Sequence, residues 1–268
     1  MSFCKIKAHF GIEVLAQDRL GALFRVKVPR NSDLVVGDNI ELTDGRFKRL
    51  ERQNNLIRKT NFGNQILAAN LDYVGIILSV IPKTPDYFID QVIISCRAQN
   101  IKPFLIVTKL DLKGSDNFLA ETRDEFAASI PVLAGLQELQ DFLNQKARFI
   151  FVGVSGAGKS SLTNQLVPDA DQLTGTLSPN KNQGRHTTSG SILLELPSGG
   201  ELIDSPGVRD FSPVDLSLDQ IAHYFAGFEK FAETPCKFRN CKHLQEPGCL
   251  IREHANPKRY EQYLKLCF

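Results

Sequence analysis

The sequence predicts an α/β protein of three lobes: a domain built on a mostly parallel sheet, preceded by a small β-barrel and followed by a mostly helical lobe. Three observations carry this. Residues 1–60 alternate apolar and polar residues in short runs, with turn signals such as Asn31-Ser32-Asp33 and Asp44-Gly45 between them. From residue 66 the apolar runs YVGIILSV, KPFLIVT, ARFIFVGV, ILLELP and GELID alternate with helical segments such as FIDQVIISCRAQN and SSLTNQLV, the pattern of strands joined by helical crossovers. Beyond Pro213 the chain turns helical, crosses a cysteine cluster and ends in NPKRYEQYLKLC. The expected boundaries are 1–60, 66–215 and 216–268.

Size and composition bound the rest. The chain has 268 residues, 42% apolar and 23% charged, enough for two or three globular domains. No run approaches the roughly 18 apolar residues of a membrane span, and MSFCKIKAHFGIEV lacks the apolar core of a signal peptide. We expect a cytoplasmic monomer without a membrane partner. Net charge is +2 but unevenly spread: Lys/Arg minus Asp/Glu gives +5 over residues 1–65, −5 over 66–215 and +2 over 216–268. Basic flanks around an acidic middle fit contact with a polyanion.

In the first lobe, KIKAHFGIEVLAQD, GALFRVKVPR and DNIELTDGRFKRL each read as strands. Short strands in about 60 residues suit a small closed barrel, an OB-fold or an SH3-like barrel.

In the middle lobe the strand RFIFVGV runs into Gly153-Val154-Ser155-Gly156-Ala157-Gly158-Lys159-Ser160, followed by Ser161 and a helix. This is the phosphate-loop pattern. Glycines let the backbone wrap so that successive N–H groups point at phosphate, and the helix N-terminus adds partial positive charge. Lys159 reaches the β and γ phosphates and serves catalysis there; the Ser160 hydroxyl ligates Mg²⁺. After GELID comes Asp204-Ser205-Pro206-Gly207. Asp204 is placed to hold Mg²⁺ through a water, and the Gly207 amide to sense the γ-phosphate. Between them, residues 174–190 (TGTLSPNKNQGRHTTSG) are polar and aperiodic, which predicts a long mobile loop. Thr187 or Thr188 within it can ligate Mg²⁺ when the γ-phosphate is present.

Upstream of all this stands Thr108-Lys109-Leu110-Asp111, again after a strand. The Asp111 carboxylate matches the N1–H and N2–H₂ edge of guanine, which adenine lacks. The Lys109 stem can lie along the base, and Thr108 stands where Asn is usual, a short polar side chain that can still bond neighbouring loops. In ordinary GTPases the phosphate loop precedes the base-reading loop; here the order is reversed. Ligands of open α/β sheets bind at the carboxyl ends of strands, so the loops can converge on one nucleotide whatever their order.

The helical lobe holds Cys236, Cys241, His243 and Cys249. Three thiolates and one imidazole suit a tetrahedral structural zinc. Few apolar residues surround the cluster in sequence, so zinc is expected to supply much of the folding energy. Lys237, Arg239 and Lys242 among the ligands can meet RNA phosphates. His254 falls outside the pattern, and Cys4, Cys96 and Cys267 are assigned to packing or exposure.

TKLD, GVSGAGKSSL, GRHTT, DSPGVRDF and CKFRNCKHLQEPGC, in this order, resemble the ribosome small subunit-dependent GTPase A (RsgA/YjeQ) family of circularly permuted GTPases over essentially the whole chain. The resemblance implies an N-terminal OB-fold, a circularly permuted P-loop GTPase domain and a C-terminal zinc-binding domain. It further implies GTP hydrolysis with Mg²⁺, binding to the small ribosomal subunit and its rRNA, and a role late in subunit maturation. Two positions depart from expectation: Thr108, and Leu133-Ala134, where a Ser-Ala pair usually backs the base. Where Ras-like enzymes carry a water-orienting Gln the chain has Val208, a replacement the family shares. His186 is the candidate to orient water, with a ribosome-supplied group as the rival. Two other readings stand: a zinc-and-barrel RNA-binding module with a decayed nucleotide site, and an ATP-using P-loop kinase, against which TKLD argues.

Overall fold

The computed structural model describes residues 2–43, 46–60, 63–168, 170, 191–204, 216–231, 234 and 236–268. At its centre β8 (Tyr73–Leu78), β9 (Lys102–Val107), β10 (Val132–Ala134), β11 (Arg148–Val152) and β13 (Glu201–Asp204) run parallel, with β12 (Ile192–Glu195) antiparallel at the side of β13. The spatial order is β10-β9-β8-β11-β13-β12. The chain therefore enters at β8, builds outward to β10, and crosses back to lay β11 on the other flank of β8. That reversal is a topological switch point, where open sheets bind ligands.

The apolar runs have no polar alternation because both faces are covered. On one face Val74, Ile76, Leu78, Leu105 and Ile150 pack with Phe88, Ile89, Val92 and Ile93 of α1 (Asp86–Ala98). On the other, Ile77, Phe104, Ile106, Phe149 and Phe151 meet α3 (Gly135–Leu143) and α4 (Lys159–Leu166). Gly75 lies between rings: a Cβ there would sit 2.7 Å from Phe104 and 2.8 Å from Phe151. Helix α2 (Ser115–Phe126) links β9 to β10.

The N-terminal strands β1 (Ser2–His9), β2 (Glu13–Asp18), β3 (Leu23–Lys27), β4 (Asn39–Thr43) and β5 (Arg46–Arg49) are antiparallel, β1 pairing with both β2 and β4, and β4 with β5. They enclose their own core of Cys4, Ile6, Val14, Ala16, Val26 and Ile40. Among the described residues β3 and β5 do not pair, so the barrel is open on that side. Through Ala8, opposite Ile192, β1 also joins β12, making one eleven-stranded sheet.

A hairpin absent from the sequence reading, β6 (Asn55–Thr60) and β7 (Gly63–Ala69), spans the junction. Its Leu56, Leu67 and Ala68 are buried in the core of the parallel-sheet domain. Nearby, Arg148 closes the seam: its guanidinium donates to the carbonyls of Gly37 (2.8 Å), Ala69 (3.2 Å) and Asn70 (3.2 Å) and to Glu201 (2.8 Å).

The C-terminal lobe holds α5 (Leu218–Tyr224), a 3-10 turn (Glu229–Phe231), α6 (Leu250–His254) and α7 (Pro257–Cys267). Asn256 caps α7, accepting from the amides of Lys258 (2.9 Å) and Arg259 (3.3 Å), with Pro257 at the first helical position. The expectation of few apolar neighbours around the cysteines is corrected here. Cys241 and Cys249 are buried with Ala222, Phe225, Phe228, Ile251, Tyr263 and Ile94 of α1. The aromatic residues come from α7 and the α5 region, so the cluster's own segment looked bare. Among the described residues no helix is long and apolar enough to cross a membrane.

Candidate nucleotide and metal sites

The carboxyl ends of β8, β9, β11 and β13 share one rim, as their parallel registers require, and β12 begins there, with Ile192 opposite Asp204. The phosphate loop leaves β11 at Gly153, whose added Cβ would come within 2.9 Å of the Ile77 carbonyl oxygen. Gly156 (φ +82°) and Gly158 (φ +105°) take the left-handed conformation, and α4 starts directly after Gly158, which offers no capping side chain. A helix N-terminus at this rim carries the partial positive charge that favours an anion. Ala157 is fully buried, Val154 and Lys159 are half-buried, and Ser155, Ser160 and Ser161 are exposed. Asp204, half-buried, ends β13.

The base-reading loop leaves β9 beside it. Thr108 is 6% exposed. Its hydroxyl lies 2.7 Å from the Ala157 carbonyl in the phosphate loop and 3.0 Å from the Leu78 carbonyl, and its amide donates to Leu78 at 2.8 Å. The two loops, 49 residues apart in sequence, are thereby bonded directly. Lys109 (φ +54°) extends its Nζ to the Ile81 carbonyl at 2.8 Å, which fixes the course of its stem. Asp111 is exposed at the tip of a turn closed by the Leu112 amide on the Lys109 carbonyl (3.1 Å).

Where Ser-Ala was expected, Leu133 and Ala134 end β10, in register with Ile106 and Val107. The Ala134 amide donates to Glu138 of α3 at 2.9 Å, and Arg123 grips the same carboxylate at 3.0 and 3.1 Å. A Cβ on Gly135 (φ +66°) would lie 3.1 Å from the Leu110 side chain. The start of α3 thus lies against the Thr108–Asp111 loop. His186, Thr187, Thr188, Gly207 and Val208 lie outside the described residues.

The second site is assembled in the C-terminal lobe. The ligand atoms of Cys236, Cys241, His243 and Cys249 all lie within 4.8 Å of one another. Tetrahedral Zn–S bonds of about 2.3 Å place sulfurs roughly 3.8 Å apart, so the set fits that ion. His243 Nδ1 faces Cys249 Sγ at 3.4 Å and Cys236 Sγ at 3.6 Å, and φ of +60° at His243 turns the chain back toward the thiols. Burial pushes the Cys241 thiol up to about 12 and raises Cys249, and it lowers His243. Buried thiolates are costly without a cation, and a bound divalent ion reverses that balance.

The sequence reading missed what holds this loop. Glu246 accepts from the amides of Lys242 (2.8 Å), Leu244 (2.9 Å) and Gln245 (3.1 Å), which together hold its carboxyl down at about 2. Tyr260 of α7 donates toward the carbonyls of His243 (2.9 Å) and Leu244 (2.8 Å), and Tyr263 to Lys242 (2.7 Å). A carboxylate midway between the third and fourth ligands was the one available signal; the tyrosines gave none.

The sequence model of the RsgA GTPase family matches residues 49–213, a range that takes in the β6–β7 hairpin. Among curated relatives, the small ribosomal subunit biogenesis GTPase RsgA of Actinobacillus succinogenes is 33% identical over 97% of this chain and 82% of its own length. That of Hahella chejuensis is 36% identical over 92% and 77%. The crystal structure of YjeQ from Thermotoga maritima superposes with a TM-score of 0.77 at 25% identity, covering 99% of this chain and 96% of that one. YloQ, a circularly permuted GTPase, shares the fold with a TM-score of 0.72. With its TKLD loop upstream of its GVSGAGKS loop and both on one rim of one sheet, the chain belongs to the RsgA GTPase family of circularly permuted GTPases.

Proposed function

We infer that this chain is a GTP hydrolase acting in the biogenesis of the small ribosomal subunit, as its relatives are named. The observation that carries the reading is the bond between Thr108 and Ala157, which seats a guanine-selecting loop on a phosphate-binding loop. Asp111 accepts both donors of the guanine edge, and Lys109, held at Ile81, lies along the base. Amides of residues 153–161 wrap the phosphates, and Lys159 neutralises charge on the β and γ groups. Ser160 and Asp204, with Thr187 or Thr188, hold a Mg²⁺ that screens phosphate charge, and Gly207 reads the γ-phosphate. Val208 cannot orient water; His186, or a group on the subunit, does so.

Cys236, Cys241, His243 and Cys249 hold one structural zinc. The N-terminal strands, read as an OB-fold, and the zinc lobe bind rRNA around a cytoplasmic, monomeric GTPase domain (66–215), with Lys237, Arg239 and Lys242 on phosphates. The test is multiple-turnover hydrolysis of GTP and ATP, with and without purified small subunits. Strong stimulation confined to GTP is the expected result. Equal rates for both nucleotides would remove Asp111 from base selection, and RNA binding indifferent to nucleotide would leave an RNA-binding module.

A further inference from the structure

Arg259 of α7 is 2% exposed, yet its guanidinium is directed into the GTPase domain. It grips the Asp90 carboxylate at 2.6 and 3.3 Å and reaches Glu125 at 3.1 Å. Two of its nitrogens donate to the Ala226 carbonyl, at 3.1 and 2.9 Å. Its Cζ lies over the rings of Phe126 (4.7 Å to the centroid) and Phe225 (4.3 Å). Asp90 belongs to α1 and is 1% exposed, and Glu125 and Phe126 end α2. A planar, bidentate fork of this kind fixes orientation as well as distance. The neighbouring Tyr260 and Tyr263 hold the metal loop, so one helix carries both grips.

Helix α1 carries the grip back to the nucleotide rim. Asp90 stands one turn inside it, and the segment that leads into it, residues 79–85, is bonded to the Thr108–Asp111 loop and lies beside the phosphate loop. Ile81 supplies the carbonyl that anchors Lys109. Pro82 comes within 3.7 Å of where a Cβ on Gly156 would lie. The Ser79 hydroxyl donates to the Pro82 carbonyl at 3.1 Å, closing the segment on itself.

We propose that Arg259 is a positioning residue of the nucleotide site: by fixing Asp90 it sets where α1 begins, and so where residues 79–85 support Lys109 and the phosphate loop. The inference rests on the guanine-nucleotide reading given above. It makes guanine-nucleotide affinity depend on how the C-terminal helix is seated, some distance from any atom that touches the nucleotide.

The experiment titrates a fluorescent GDP analogue against full-length zinc-loaded protein and the variants Arg259→Lys and Asp90→Asn, well below each variant's Tm, with zinc content measured alongside. Lysine keeps the charge and loses the fork. Both variants are expected to retain zinc and to bind GDP at least about fivefold more weakly, a typical span for coupled sites. The double variant should be no weaker than the weaker single one, because both break one link. If Arg259→Lys does not fold, Asp90→Asn with Glu125→Gln takes its place. Unchanged GDP affinity in folded variants, however far Tm falls, overturns the proposal. Failure of the wild-type protein to bind GDP would instead overturn the nucleotide reading itself.

Discussion

Thr108 shows how a departure from the usual base-reading pattern is accommodated. Asparagine is the common residue there, yet the shorter hydroxyl still reaches Ala157 at 2.7 Å. Thr108→Val keeps the shape and leaves the Ala157 carbonyl unpaired in a buried place. It should cost about 1–3 kcal/mol of stability and weaken GDP binding about tenfold; Thr108→Asn should bind as well as the parent. Thermal melts and GDP titration decide both. Asp111→Asn turns two acceptors into one acceptor and one donor, so competition assays should show preference moving from guanosine to xanthosine nucleotides. The residues that demand particular backbone geometry, Gly153 and Gly158, were legible in the sequence for that reason. Arg259 and Asp90 were not: 169 residues separate them, and neither carries a local signature.

Among elements, the strands of the parallel sheet were plain because burial on both faces leaves unbroken apolar runs such as FIFV in β11. The β6–β7 hairpin was hidden because NLIRKT and GNQILAA lack the apolar–polar alternation of a half-buried strand; their short apolar stretches pack into the parallel-sheet core instead. The metal loop was legible from ligand spacing, but its supports sit on α7. Removing zinc by chelation should therefore melt residues 236–249 while the core of Phe225, Phe228 and Tyr263 persists. Near-UV dichroism should change and far-UV helicity should largely stay. Rebinding of zinc should release about three protons, one per thiol, read by calorimetry in buffers of different ionisation enthalpy.

At the scale of the whole molecule, the barrel and the GTPase domain share a sheet and a charged seam. Burial pushes the Glu201 carboxyl up, but Arg148 and Lys5 outweigh it and hold the group below the ordinary carboxylate range. A carboxyl depressed in the folded state contributes stability above its unfolded pKa, and that contribution is lost as pH falls through the folded one. Resistance to denaturant should thus fall on acidification below about pH 4.5, and Glu201→Gln should flatten that dependence. Arg148→Met strips the Gly37 carbonyl and Glu201 of a buried partner and should cost about 3 kcal/mol, with Glu201→Gln in the same chain recovering part of it. Strand β12 gives this seam a wider meaning, since it is hydrogen-bonded to β13 on one side and to β1 on the other, and its first residue faces Asp204. Ile192 is thus opposite both Asp204 and Ala8, so a displacement of the β13 end need not diffuse through packed side chains to be felt by the N-terminal lobe. It can travel crosswise, as a tug from strand to strand through the ladder hydrogen bonds, with the barrel as the handle.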